Sequence, residues 1–251
     1  MTTVKSAGAD ALVSAAADLR DAVAALRFAA PVTHVYNPLD YAWEAHRSYL
    51  ARYGAPPKRL VLLGMNPGPF GMMQTGVPFG EVAAVRDWMG IRAVIEAPAS
   101  QHPKQPIEGF DCPRSEVSGR RLWDWAARRY GTADRFFADA FVLNWCPLVF
   151  LEASGRNRTP DQLPVAEQRA LQAACDAHLA RAVTALAPDW LIGVGGFAEK
   201  RLRSLVEGPL LDSALARRLK IGQILHPSPA SPAANRGWIE AVEARLAEYG
   251  L

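Results

Sequence analysis

Three polar side chains stand where short apolar runs stop. Asn66 follows Leu60-Val-Leu-Leu-Gly-Met65, Asn144 ends Ala140-Phe-Val-Leu-Asn144, and His226 follows Ile221-Gly-Gln-Ile-Leu225. Asn66 is neutral at any working pH, so it cannot serve as a general base, but its amide can orient a water or hydrogen-bond a substrate. It lies in Gly64-Met-Asn-Pro-Gly-Pro-Phe-Gly-Met-Met-Gln-Thr-Gly-Val-Pro-Phe-Gly80, which has five glycines and three prolines in seventeen residues. Proline fixes φ and glycine lets backbone approach a ligand closely, so this is a shaped loop. It lacks a Gly-Lys-Ser/Thr ending and is not a Walker A loop. Within it Phe79 is placed to stack on a planar ligand. The loop holds no carboxylate to activate water strongly and no lysine to act as a nucleophile.

His226 opens a proline-stiffened segment, His226-Pro-Ser-Pro-Ala-Ser-Pro-Ala-Ala-Asn-Arg-Gly-Trp238. Ser231 is expected to cap a helix whose first residue is Pro232, and the free amides there could hold a DNA phosphate. Asn144 offers a donor and an acceptor side by side. That pair matches the acceptor-beside-donor edge of a uracil ring and opposes the amino group of cytosine. Each residue alone also fits a structural role: Asn66 in a turn, Phe79 in the core, Asn144 at a strand end, His226 as a buried imidazole. The case for chemistry lies in their common placement.

The elements that must position them follow from periodicity. The apolar runs near 59–65, 140–144, 190–194 and 221–225 read as buried strands. Helical patterns fall over 8–29, 39–53, 81–89, 117–130, 164–186 and 197–206, with Asn37 and Asp40 near the start of the second. Strand alternating with helix implies a parallel sheet covered on both faces. Ligands bind such sheets beyond the carboxyl ends of the strands, where Asn66, Asn144 and His226 lie. The Pro-rich stretches at 97–106 and 154–164 read as ordered loops of one domain, residues 31–251. Residues 1–30 read as a helical extension packed on it.

Half of the 251 residues are apolar and the net charge is only +3, so nucleic-acid binding requires local positive charge. Arg114, Arg120, Arg121, Arg156 and Arg158 are loop candidates, equally at home on an ordinary solvated surface. No stretch approaches the ~20 apolar residues of a membrane span. The start of the chain has no secretory pattern, so a cytoplasmic protein is expected. Cys112, Cys146 and Cys175 are far apart, form no CxxC pair, and read as reduced thiols. Gly193-Val-Gly-Gly-Phe-Ala198 fits a loose GxGxxA pattern, but no acidic residue ends the next strand. It reads as a tight strand–helix turn, with no dinucleotide cofactor.

Together GMNPGPFGMMQTGVPFGE and HPSPASPAANRGW resemble the two signature segments of the single-strand-selective monofunctional uracil-DNA glycosylases, within the uracil-DNA glycosylase superfamily. The resemblance also takes in YNPLDYAWEAHRSYLARYG, SEVSGRRLW and NWCPLVFLEASGRNRTP, so it spans roughly 31–240. It implies an α/β fold, a three-layer α/β/α sandwich with a central four-stranded parallel sheet. It implies a monofunctional enzyme that removes uracil from DNA, as a monomer, with no metal or cofactor and no membrane. By the same resemblance Asn66 positions the hydrolytic water and His226 stabilises the departing base. Asn144 reads the base, Phe79 stacks on it, and Met65 and Gly68 line its pocket. Ser118, Gly119, Pro227, Ser228, Pro229, Ala230 and Asn235 are the expected DNA contacts. Ala230 departs from the family, whose wedge position carries a larger residue, often Arg. Excision of hypoxanthine or xanthine, or DNA binding without turnover, are the competing expectations.

Overall fold

A strand that is apolar at every position must be covered on both faces. The computed structural model, which describes residues 2–251 and side chains from residue 7 onward, bears out that alternation. Helix α1 (Thr2–Ala24) leads to β1 (Val32–Tyr36), α2 (Pro38–Tyr41), α3 (Trp43–Tyr53) and β2 (Leu60–Gly64). Helix α4 (Met72–Thr75) and two short turns, Ala84–Trp88 and Gly109–Asp111, precede α5 (Val117–Tyr130), α6 (Ala133–Asp139) and β3 (Ala140–Asn144). Next come β4 (Val149–Glu152), β5 (Asn157–Arg158), α7 (Val165–Leu186) and β6 (Trp190–Val194). The chain continues with α8 (Gly196–Glu207), α9 (Ser213–Arg218), β7 (Lys220–Ile224), α10 (Pro232–Asn235) and α11 (Trp238–Glu248).

Strands β3, β2, β6 and β7 form a parallel sheet in that order. Every residue of β2 and β3 is buried, so helices cover both faces and the architecture is the expected three-layer sandwich. Helix α8 packs on β6 and β7, α11 on β7, and α1 on α7 and α3. Leu12, Ala16, Leu19 and Val23 of α1 join the same core as Leu62, Phe141 and Ile192. In register, Gly64 lies beside Asn144 and Val194 beside Ile224, so all four carboxyl ends open on one edge. No helix among the described residues is long and apolar enough to cross a membrane.

Four expectations need correction. The first helix ends at Ala24, short of 29, because Arg27 turns back to donate to the carbonyls of Ala24 and Leu26 (3.0 and 2.9 Å). The helix expected over 39–53 breaks at Ala42 into α2 and α3, with the Asn37 side chain capping α2. A second sheet, β1-β4-β5 and antiparallel, has no counterpart among the expected strands. Its β5 is only two residues long and lies within a stretch read as loop. The helix expected over 81–89 is a π-helical turn, Ala84–Trp88.

Candidate active site

Seven of the residues singled out by sequence meet in one cleft at the carboxyl edge of the parallel sheet. Met65, Asn66, Gly68, Phe79, Glu116, Ser118, Asn144 and His226 line a cavity of about 80 Å³, together with Gly71 and Met72. One water needs only about 10–15 Å³, so a small flat ring fits the scale of this space. A wider hollow of about 370 Å³ lies at the opposite, amino ends of the strands. Its charged groups are engaged there: Arg52 faces Asp134 at 3.8 Å and Lys58 donates to the Phe137 carbonyl.

Asn144 is the last residue of β3 and only 9% exposed. Its Nδ2 reaches Met72 Sδ at 3.3 Å, while its Oδ1 is buried with no hydrogen-bond partner. An unpaired buried acceptor costs about 1–3 kcal/mol, which a ligand N–H can recover. A side chain on Gly64 would collide with this oxygen and with the Phe79 ring, at 2.4 and 2.5 Å. The absence of a Cβ there keeps the slot open.

Phe79 has left-handed backbone (φ 53°), a strained state for a bulky residue that costs about 1–3 kcal/mol. The surroundings enforce it: the Phe79 carbonyl accepts from Trp123 Nε1 at 2.8 Å and from the Glu81 amide at 2.7 Å. Its ring stands 6.3 Å from the His226 ring at a tilt of 44°. Asn66 is held by a long contact from Nδ2 to the Leu148 carbonyl (3.5 Å), which leaves Oδ1 for the cleft. The next carbonyl, Pro67, accepts from Asn157 Nδ2 at 3.0 Å.

His226 is held in one tautomer. The Ser228 amide donates to Nδ1 at 3.1 Å, so the ring proton resides on Nε2. Burial lowers the imidazole pKa from its usual value, so the ring is neutral near pH 7. Gly195, with φ of 90°, sets its α-carbon against His226, where an added Cβ would lie 3.2 Å from the His226 Cβ. The GxGxxA stretch thus makes a turn that accommodates the histidine.

A model of the uracil DNA glycosylase superfamily matches residues 51–246. The chain belongs to that superfamily. It is 50% identical over 226 residues to the rat single-strand selective monofunctional uracil-DNA glycosylase, covering 90% of this chain and 79% of that protein. The bovine protein of the same name is 47% identical over 233 residues, covering 93% and 84%. The crystal structure of wild-type Pedobacter heparinus SMUG2 shares the fold, with a TM-score of 0.65 at 16% identity, covering 94% of this chain and 98% of that one.

In this superfamily member the expected DNA contacts divide. Ser118 lines the cleft. Gly119 is buried beneath Phe79, whose carbonyl would lie 2.1 Å from an added Cβ, so it positions Phe79 and presents no surface. Pro227 is buried, and Pro229 and Ala230 form the exposed tip. Ser228 Oγ accepts from the Ala230 amide at 3.1 Å, and Asn235 Nδ2 donates to the Pro229 carbonyl at 2.9 Å. Ser231 caps the short α10 as expected, accepting from the Ala234 amide at 3.3 Å.

The arginines expected in loops divide as well: Arg120 and Arg121 lie on α5 and Arg158 on β5. Arg121 is committed to the loop itself, donating to the carbonyls of Pro227 (3.0 Å) and Ser228 (3.4 Å) and to Asn235 Oδ1 (2.8 Å). Arg158 pairs with Glu152 at 3.0 Å, and Arg156 reaches Gln162 at 3.3 Å. Arg114 stacks 3.9 Å from the centre of the Phe70 ring, and Arg120 is exposed.

Two further residues went unread in the sequence, one a buried support outside the cleft lining and one within it. Gln74 is buried, and its amide joins four backbone groups: the carbonyls of Pro69 and Pro106 and the amides of Glu108 and Gly109. Glu116 brings a carboxyl group into the cleft, where its Oε2 accepts from the Phe70 amide at 3.3 Å. Desolvation raises its pKa, against the pull of the Phe70 and Ser118 amides, and Glu81 adds a smaller push upward. Both side chains act across long sequence distances, which a local motif does not reveal.

Proposed function

We propose that this chain hydrolyses the N-glycosidic bond of uracil in DNA and leaves an abasic site, without lyase activity. The Asn144 amide carries the reading: a buried, unpartnered Oδ1 beside an Nδ2, walling a slot next to a raised aromatic ring. Uracil N3–H supplies the missing donor and O4 accepts from Nδ2. Cytosine opposes both contacts, with an acceptor at N3 and a donor at N4.

The target base must leave the stack, at a cost of a few kcal/mol. Bound against Phe79, it breaks from C1′ with the bonding pair, leaving an oxocarbenium-like sugar and a uracil anion. Negative charge grows on O2, and the Nε2–H of neutral His226 is the donor fixed toward it. A preorganised donor of this kind lowers the barrier by roughly 3–4 kcal/mol. Asn66 Oδ1 holds the water that captures C1′. No lysine lines the cleft among the described residues, which supports hydrolysis rather than Schiff-base chemistry. The accessible substrates are uracil and 5-substituted uracils in single strands and in duplexes.

The test is alkaline strand scission after incubation with oligonucleotides carrying uracil, 5-hydroxymethyluracil, hypoxanthine or xanthine, in both strand contexts. Scission at uracil is expected. Scission confined to the deaminated purines, or binding without scission, refutes the assignment.

A further inference from the structure

Hydrolysis leaves a proton to be placed. The attacking water loses one as its oxygen bonds to C1′, and the groups around it differ sharply in what they can accept. Asn66 and Asn144 are amides, and Ser118 is a hydroxyl. His226 already carries its proton on Nε2, while its Nδ1 accepts from the Ser228 amide. Among the described residues lining the cleft, the remaining titratable side chain is Glu116.

Its position suits the task. Glu116 immediately precedes α5, and its carboxylate lies against the Gly68 α-carbon, two residues beyond Asn66. A Cβ on Gly68 would fall 2.3 Å from Glu116 Oε2, and one on Gly71 would fall 3.0 Å from its Cγ. The loop after β2 therefore leaves room for this carboxyl group beside the water-holding asparagine.

We propose that the Glu116 carboxylate accepts the proton of the attacking water and offsets the positive charge that develops on the sugar. The inference rests on the glycosylase reading above. The C1′–N1 bond breaks with its electron pair going to uracil, and the O–C1′ bond forms from a water lone pair. That water's proton passes to Glu116, directly or through a second water, and the uracil anion is protonated after release. Burial holds the carboxyl pKa above its ordinary value, which brings the base nearer the working pH. The titratable groups that face it are Glu81, which adds to that rise, and His226 across the cleft; Arg114 lies over the neighbouring Phe70 ring.

The test is single-turnover uracil release from a single-stranded oligonucleotide between about pH 5 and pH 8, for wild type, Glu116→Gln and Glu116→Asp. Binding to an oligonucleotide with a tetrahydrofuran abasic site is measured alongside. Glu116→Gln is expected to lose about 100-fold in rate, the low end for a general base, and to lose the acid limb of the profile while binding is retained. Glu116→Asp keeps the acid limb at a reduced rate. A Glu116→Gln rate within about threefold of wild type overturns the proposal, as does a slower rate with the acid limb intact. If Glu116→Gln does not fold, Glu116→Asp decides: activity without an acid limb overturns the role. A wild type that releases no uracil refutes the glycosylase reading itself, and this step falls with it.

Discussion

His226 acts as a donor because of what its other nitrogen does. The Ser228 amide occupies Nδ1, so the proton sits on Nε2 and the ring faces the cleft uncharged. Leucine at this position fills similar space and donates nothing. His226→Leu is therefore expected to lose about 10²–10³ in single-turnover rate, the usual loss for one oxyanion donor. Asn66→Ala removes the water's anchor and is expected to lose most activity too, and circular dichroism should report an intact fold for both. Uracil release near the wild-type rate by either variant contradicts the role given to that residue. These groups were legible in the sequence because each sits at the end of its own apolar run. Glu116 and Gln74 were not, since their partners, Phe70 and Glu108, lie across loops whose closure no local pattern encodes.

At the scale of elements, the loop after β7 owes its shape to α5. Three hydrogen bonds from Arg121 tie Pro227, Ser228 and Asn235 to that helix, and Ser228 in turn fixes the His226 ring. Arg121→Met leaves two carbonyls without their cationic donor, a loss worth about 1.5–3 kcal/mol if all of it is felt. The expected result is a rate about tenfold lower or less on single strands, partly restored by Arg121→Lys. A Met variant at full rate breaks the link between helix and loop. The exposed tip of the same loop ends in Ala230, whose methyl cannot fill the gap left by an extruded nucleotide. Ala230→Arg is expected to tighten hold on duplex product and raise duplex cleavage relative to single strands; an unchanged ratio refutes the wedge role. The parallel strands were readable because burial on both faces demands continuous apolar residues. The β1-β4-β5 sheet was not, because β1 is half exposed and β5 is two residues whose pairing depends on a distant strand.

For the molecule as a whole, packing of the N-terminal half and of the site share a histidine that must stay neutral. His46 on α3 is 5% exposed, and its Nδ1 bonds the Gly76 carbonyl at 2.8 Å, at the end of α4 in the loop that carries Phe79. Desolvation lowers its pKa from 6.5 to about 4, against the pull of that hydrogen bond. His178 on α7 is shifted the same way, to about 4, and bonds the Ala15 carbonyl of α1 at 3.2 Å. The unfolded chain takes up these protons below pH 6.5 and the folded chain resists them until about 4. Stability is thus fully present above pH 6.5 and declines as pH falls toward 4. Each histidine contributes up to about 1.4 kcal/mol per pH unit in that window. Glu116 works in the opposite direction, since its raised pKa lets the folded chain bind a proton first. The lowered carboxylates, Asp139 among them, weaken the fold only at still lower pH. The urea midpoint is expected to drop between pH 7.5 and pH 5, and His46→Gln, which keeps a donor for Gly76, should flatten that drop. A midpoint constant across this range, or a His46→Gln profile parallel to wild type, means that the fold does not hold this imidazole neutral.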